Sequence, residues 1–328
     1  MVYNQFCRVR RLLFVLSILI SLVLLNRILL NTKESSSSGT NVRRPSFDHA
    51  ARNRNFKRKL VEINDRQPSF KMYIYEGYEI SNDRHRAQAK LLDNIKLHDK
   101  CQQNPNYLVV DVGASLGQFG LYAAACGCQV YMFEVDPMKL ALLEASIELN
   151  SLQARITLVR KAISDLPSNR LVYISVNRSR QVPESEVKEN AEMYAVESIS
   201  LSQMNFSSEI YLLRVDVEGY EIHVIRAGER LFRDNLIHHV LFQYTPSGTD
   251  RVIQNDLLGY MRDILNGRRF YALHPKQAII YGPLYNEDID QFYAQHQAQN
   301  VERDVYVLFQ DEDLNIDSKP YEFQTSFE

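Results

Sequence analysis

Two short acid- and glycine-bearing stretches, with a lone glutamate between them, have the spacing expected of a nucleoside-binding site. The first stretch is Asp111-Val-Gly113-Ala114-Ser115-Leu-Gly117-Gln-Phe-Gly120. Gly113 permits a tight turn and the close approach of a ligand, and the helix expected next offers unpaired N–H groups to a carboxylate. The glycines run G-x-x-x-G-x-x-G, which differs from the G-x-G-x-x-G of a dinucleotide-binding turn. Such spacing is weak by itself, because glycine often occupies a first turn for backbone reasons alone. Glu134 strengthens it. This acid lies roughly 20 residues beyond Asp111, at the expected end of the next strand, where it can accept hydrogen bonds from both ribose hydroxyls. The second stretch is Arg214-Val-Asp216-Val-Glu218-Gly219-Tyr220-Glu221. Asp216 is expected to face the crevice beyond the strand ends, where open α/β sheets bind ligands. Glu218 and Glu221 read equally well as acids at a helix N-terminus. His223, on the ensuing helix, is either a base or a surface residue, and His238 and His239 read as structural.

The elements needed to position these groups are legible. Tyr107–Val112 is a nearly continuous apolar run, as expected of a strand buried on both faces. A helix is expected over 117–125, a strand over 129–134, and a helix begun by Asp136 as N-cap and Pro137 as first residue. Further strands are expected at 156–159, 210–215, 237–242, 269–273 and 305–309, with helices over 221–232 and 250–265. Phe70–Tyr75, rich in β-formers, is expected to open the domain. The alternation specifies an α/β fold: a doubly wound, mainly parallel seven-stranded sheet. No helix is expected between the last two strands, so they are expected to pair antiparallel at the sheet edge.

The 328 residues suffice for one such domain plus appendages. A net charge of −2 exerts no global pull toward nucleic acid, and no nucleic-acid partner is expected. Residues 12–30 are almost wholly apolar and, at ~20 residues, reach the length of a membrane-crossing helix. Arg8, Arg10 and Arg11 precede this run and favour a cytoplasmic N-terminus. The competing reading is a cleaved signal peptide, although no clear small-x-small site follows. The organisation expected is a short tail (1–11), a transmembrane signal anchor (12–30), a flexible basic stem (31–68) and a catalytic domain (69–328). That makes a single-pass type II protein of the Golgi or ER membrane with a lumenal domain. Sequons at Asn177 and Asn205 are compatible with it. Of the four cysteines, Cys126 and Cys128 are too closely spaced for the usual zinc ligands, and no metal is expected. A bridge from Cys101 to Cys126 or Cys128, or buried free thiols, both remain open.

Taken together, the chain resembles the FkbM family of S-adenosylmethionine-dependent methyltransferases from about Met72 to Gln310. The resemblance rests on Asp111 to Gly117, Phe133-Glu134, Asn150 followed by Ala162-Ile163-Ser-Asp165, and Val215 to Glu221, in that order. It implies a class I methyltransferase fold, Rossmann-like, with S-adenosylmethionine as cofactor. By similarity Asp111, Gly113 and Gly117 line the methionine end, Glu134 holds the ribose, Asp165 or the backbone near Ala162 and Ile163 lies by the adenine, and Ala114, Ser115 and Asp136 are further cofactor-binding residues. The chain departs from the family at Ser115, where Asn is usual, and at Gln243, where an acid is frequent.

Methyl transfer needs an aligned nucleophile, and a neutral hydroxyl benefits from a base. Asp216 is the first candidate and Glu218 the second. The resemblance favours O-methylation, and a lumenal domain makes a glycan or small hydroxyl-bearing molecule the expected acceptor. The alternative is a non-catalytic, membrane-anchored binding module that keeps the fold, supported by Ser115 and Gln243. A nicotinamide-dependent dehydrogenase is disfavoured by the glycine spacing and by the lack of a Tyr-x-x-x-Lys pair after the fourth strand.

Overall fold

The computed structural model describes residues 57–80, 82–175, 181–182, 193–245, 257–299, 302–310 and 314–323. The first elements are an antiparallel pair, β1 (Arg58–Ile63) and β2 (Phe70–Tyr75), followed by helices α1 (Asn82–Asn94) and α2 (Leu97–Gln103). The main alternation comes next: β3 (Leu108–Val112), α3 (Gln118–Ala125), β4 (Gln129–Phe133), α4 (Pro137–Leu149) and β5 (Ile156–Val159). A small separate sheet collects β6 (Ala162–Ile163), β7 (Leu171–Ser175), β8 (Gln181–Val182) and β9 (Met193–Ile199) in the order β6-β9-β7-β8. The chain then re-enters the main sheet with β10 (Ile210–Val215), α5 (Glu221–Ala227), α6 (Glu229–Arg233), β11 (Ile237–Tyr244) and α7 (Leu257–Asp263). It ends with β12 (Arg269–Leu273), β13 (Ile280–Leu284), α8 (Asn286–Gln299) and β14 (Arg303–Leu308).

The main sheet runs β13-β12-β14-β11-β10-β3-β4-β5. Every residue of β3 and β10 is buried, which is why both read as unbroken apolar runs. Along β3 successive side chains serve opposite faces. Val109 packs with Leu121, Val130 and Leu143 on one side, and Val110 with Leu213, Ile225 and Val240 on the other. From β3 the chain winds outward through β4 and β5, then returns to build β10 and β11 on the far side of β3. The strand order therefore reverses between β3 and β10, and a crevice opens beyond their carboxyl ends. At one wall of that crevice α4 starts where expected: Asp136 accepts from the Met138 and Lys139 amides at 2.8 and 3.2 Å, and Pro137 follows it.

Several expectations are corrected. The sheet has eight strands rather than seven, joined by four parallel and three antiparallel pairings. The strands at 269–273 and 303–308 do pair antiparallel, but helix α8 lies between them in sequence and β13 takes the edge. Gly282 and Pro283 disguise β13, yet Pro is tolerated on an edge strand. Arg58 and Lys59, read as the end of a flexible stem, belong to β1, which pairs with β2 over its full length. Cys101 is bonded to Cys128, joining the end of α2 to the start of β4, and Cys126 is a buried free thiol. Among the described residues no helix is long and apolar enough to cross a membrane, and the run 12–30 lies outside them. So does the sequon at Asn177, whereas Asn205 is described and exposed.

Candidate functional site

The site begins with the turn after β3. Gly113 has φ +79°, and a Cβ there would stand 2.0 Å from the backbone oxygen of Asp216. Only glycine lets the turns after β3 and β10 lie so close. The Gly113 and Ala114 amides donate to the Phe133 carbonyl at 2.9 and 3.0 Å, tying this turn to the end of β4. Ser115 is left-handed at φ +53°, which aims its N–H at Glu134 Oε2, 2.6 Å away. Glu134 Oε1 accepts from the Val135 and Asp136 amides at 2.7 and 2.8 Å. Burial raises the pKa of Glu134, with Lys139 and the three amides opposing it. Three N–H donors leave about one of a carboxylate's four lone-pair positions for a ligand hydroxyl.

Beneath the turn lies a chain of alternating charges. Asp111 is fully buried and accepts from Arg214 Nη1 at 3.0 Å and the Gly120 amide at 3.2 Å. Arg214 also donates to the Gly113 carbonyl at 2.9 Å and, through Nη2, to Asp216 Oδ2 at 2.5 Å. Arg84, from α1, meets the same Oδ2 with Nη1 at 3.0 Å. Its other nitrogens grip Asp304 of β14: Nη2 lies 2.6 Å from Oδ1, and Nε 3.0 Å from Oδ2. Burial would raise the pKa of Asp216, but Arg214 and Arg84 outweigh it and the carboxyl is held below its ordinary value. Alternating signs make such burial tolerable, since each charge has hydrogen-bonded opposite partners.

Above this network is a cavity of about 430 Å³. It brings together eight of the residues singled out in the sequence: Gly113, Ala114, Ser115, Glu134, Ala162, Ile163, Asp216 and Glu218. Glu218 stands exposed at the rim with φ +56°, its pKa raised by desolvation against the wall and by the Asp216 charge.

Four of the expected cofactor contacts do not line the cavity. Asp111 lies behind the turn and acts on it through Arg214 and Gly120. Gly117 is demanded by packing: at φ +88°, a Cβ would lie 2.2 Å from Leu143 Cδ1. Asp136 is occupied as the N-cap of α4. Asp165 faces His223 Nδ1 at 2.9 Å, and neither lines the cavity. Glu221 is buried rather than solvated. Its Oε1 accepts from the Val217 and Gly219 amides at 3.1 and 3.2 Å, and burial pushes its pKa up to about 7.

The sequence reading missed the contribution of the N-terminal layer. Tyr75, Tyr78, Arg84, His85 and Gln88 all line the cavity, as does Lys139 of α4. Tyr75 and Tyr78 meet edge to face with centroids 5.1 Å apart. The available signal was the i, i+4 spacing of Arg84 and Gln88, which puts two long polar side chains on one helical face. Among the described residues no group of His, Cys, Asp and Glu could hold a metal ion.

The lining fits S-adenosylmethionine. Glu134 keeps an acceptor position for a ribose hydroxyl, and apolar Phe133, Val135, Ala162 and Ile163 offer a wall for a base. Residues 111–302, more than half the chain, match the family model described as the methyltransferase FkbM domain. No curated protein matches. Among solved structures, the chain is similar to the N-terminal domain of human METTL16 in complex with SAH. Identity is 12%, coverage 71% of this chain and 73% of that one, and the TM-score 0.37. It is also similar to a T. Thermophilus 16S rRNA methyltransferase (RsmC) in complex with AdoMet and guanosine, at 9% identity, 78% and 51% coverage and TM-score 0.39. A third is a precorrin-6y C5,15-methyltransferase from Geobacter metallireducens, at 10% identity, 66% and 87% coverage and TM-score 0.34.

Proposed function

From the premise that this chain belongs to the FkbM methyltransferase domain family, we propose that it methylates a hydroxyl group on a glycan or small molecule within the secretory pathway. The observation that carries the reading is the single cavity where the turns after β3 and β10 meet beside Glu134. S-adenosylmethionine is the cofactor, and when bound it supplies an electrophilic methyl group. Glu134 holds the ribose, with Ser115 positioned by the hydrogen bond its backbone N–H donates to that carboxylate. Gly113 and Ala114 line the methionine end, and Ala162 and Ile163 the adenine. Asp216 presents Oδ1, which accepts no hydrogen bond among the described residues, to a cationic part of the ligand, while two arginines hold Oδ2. A carboxylate so paired is a poor proton acceptor, so the first-ranked base is better suited to binding. Glu218 remains the acid at the rim.

Tyr75 and Tyr78 at the cavity support a sugar acceptor, because their rings offer apolar faces beside polar tips. Two features support a lumenal domain: the Cys101–Cys128 bond, a linkage that persists in oxidising compartments, and the exposed sequon at Asn205. With the apolar run 12–30 as a type II anchor, the domain would face the Golgi or ER lumen.

Calorimetric titration of the full chain tests the reading. Binding of S-adenosylmethionine that Glu134→Ala abolishes is the expected result. Well-folded wild-type protein that binds none would leave the anchored, non-catalytic binding module as the better account.

A further inference from the structure

We propose that His85 takes the proton from the acceptor's hydroxyl group, with Gln88 and Asp304 dictating which of its ring nitrogens is bare. The inference rests on the methyltransferase reading and deepens it by assigning the base.

Asp304 is gripped by Arg84 through two nitrogens, and its carboxylate can only accept hydrogen bonds. Gln88 lies 2.7 Å from Asp304 Oδ2, so its NH2 end must be the end facing that oxygen. The carbonyl end of Gln88 then faces His85 Nδ1 at 3.3 Å, and a carbonyl cannot donate. Nδ1 therefore carries the hydrogen. In a neutral imidazole the other nitrogen, Nε2, is left with a lone pair. The ring is neutral: burial pushes its pKa down to about 4, and the charges of Arg84, Arg214 and Arg66 add to the effect against the Gln88 hydrogen bond. His85 lines the same cavity as Gly113, Glu134 and Asp216.

Asp216 is disqualified by its two arginines, and Glu218 sits at the exposed rim. A weakly basic imidazole is sufficient here. The hydroxyl proton becomes strongly acidic only as its oxygen bonds to carbon, so the acceptor needs alignment more than strength. The step balances. The acceptor oxygen forms its bond to the methyl carbon as the carbon–sulfur bond breaks with its electron pair left on sulfur. The proton passes to His85 Nε2, which later releases it to water.

The test reads the ring itself. In the full chain labelled with 15N-histidine, the His85 nitrogens are assigned by loss of their signals in His85→Gln. The expected spectrum between about pH 5.5 and 8 is that of a neutral ring with Nδ1 protonated and Nε2 bare. Gln88→Leu should shift the ring toward the Nε2–H form. An Nε2–H or imidazolium signal in the wild type overturns the assignment, as does a Gln88→Leu spectrum identical to wild type. With labelled S-adenosylmethionine and simple methyl glycosides as acceptors, His85→Gln should lose about 100-fold or more in methyl transfer. Its calorimetric affinity for S-adenosylmethionine should stay within about twofold, since a base acts in the transition state. A variant with wild-type turnover overturns the proposal. Failure of the folded wild type to bind S-adenosylmethionine is a separate result that removes the methyltransferase reading itself.

Discussion

Gly113 and Asp216 meet backbone to backbone. A Cβ on the first would stand 2.0 Å from the carbonyl oxygen of the second, so two turns about a hundred residues apart form one wall of the cavity. Gly113→Ala must separate those turns and also force a side chain to φ +79°. The expected cost is about 2 kcal/mol or more of stability, with loss of S-adenosylmethionine binding. Denaturant unfolding and calorimetry together check this; an alanine variant that binds normally would show that the two turns can part without harm.

Glu134 accepts three backbone amides and keeps roughly one acceptor position for a ligand. A charged hydrogen bond contributes about 1.5–3 kcal/mol, so Glu134→Gln should weaken S-adenosylmethionine binding on the order of 10- to 100-fold. S-adenosylhomocysteine, which keeps the ribose, should lose as much. Unequal losses for the two ligands would place Glu134 away from the ribose.

Glu221 makes stability depend on pH. Its pKa is about 7 in the folded protein against an ordinary 4.5, so between these values the folded state holds the extra proton. Stability from this group is fully present below about pH 4.5 and is lost as pH rises through 7, a change on the order of 3 kcal/mol. Glu221→Gln keeps an oxygen for the Val217 and Gly219 amides and removes the titration. The variant's unfolding free energy should therefore fall less than the wild type's between pH 5 and 8. Parallel curves for the two proteins would contradict the assignment.

The Cys101–Cys128 bond closes a loop of 27 residues' separation. Loop entropy assigns such a bond on the order of 3 kcal/mol, so Cys128→Ala should lower the unfolding midpoint clearly. Alkylation of unreduced, denatured protein should modify Cys126 and spare Cys101 and Cys128. Labelling of all three would refute the pairing.

β3 and β10 announced themselves because strands buried on both faces need unbroken apolar runs. Glu134 was legible because a first turn and a second strand end stand at a fixed separation in this kind of fold. Asp111 was legible as a strand-end acid, but its partners were not. A strand-end acid next to a glycine turn reads as ligand-facing, and only Arg214, one strand over, shows that it points behind the turn. β13 was hidden by Gly282 and Pro283, and α8 by its polar, weakly periodic composition.

The sequence by itself determined the doubly wound α/β class, the Gly113 turn and the acid at the end of β4, because these depend on neighbours within a few dozen residues. Only the tertiary structure decided which carboxylate stays free, which is locked by arginine, and which histidine faces the cavity. Arg84, on α1, joins Asp216 beyond β10 to Asp304 of β14, 220 residues away in the chain, and His85 and Gln88 line the same cavity. Ionisation and tautomer state follow from what surrounds a group in space, and no local spacing records that.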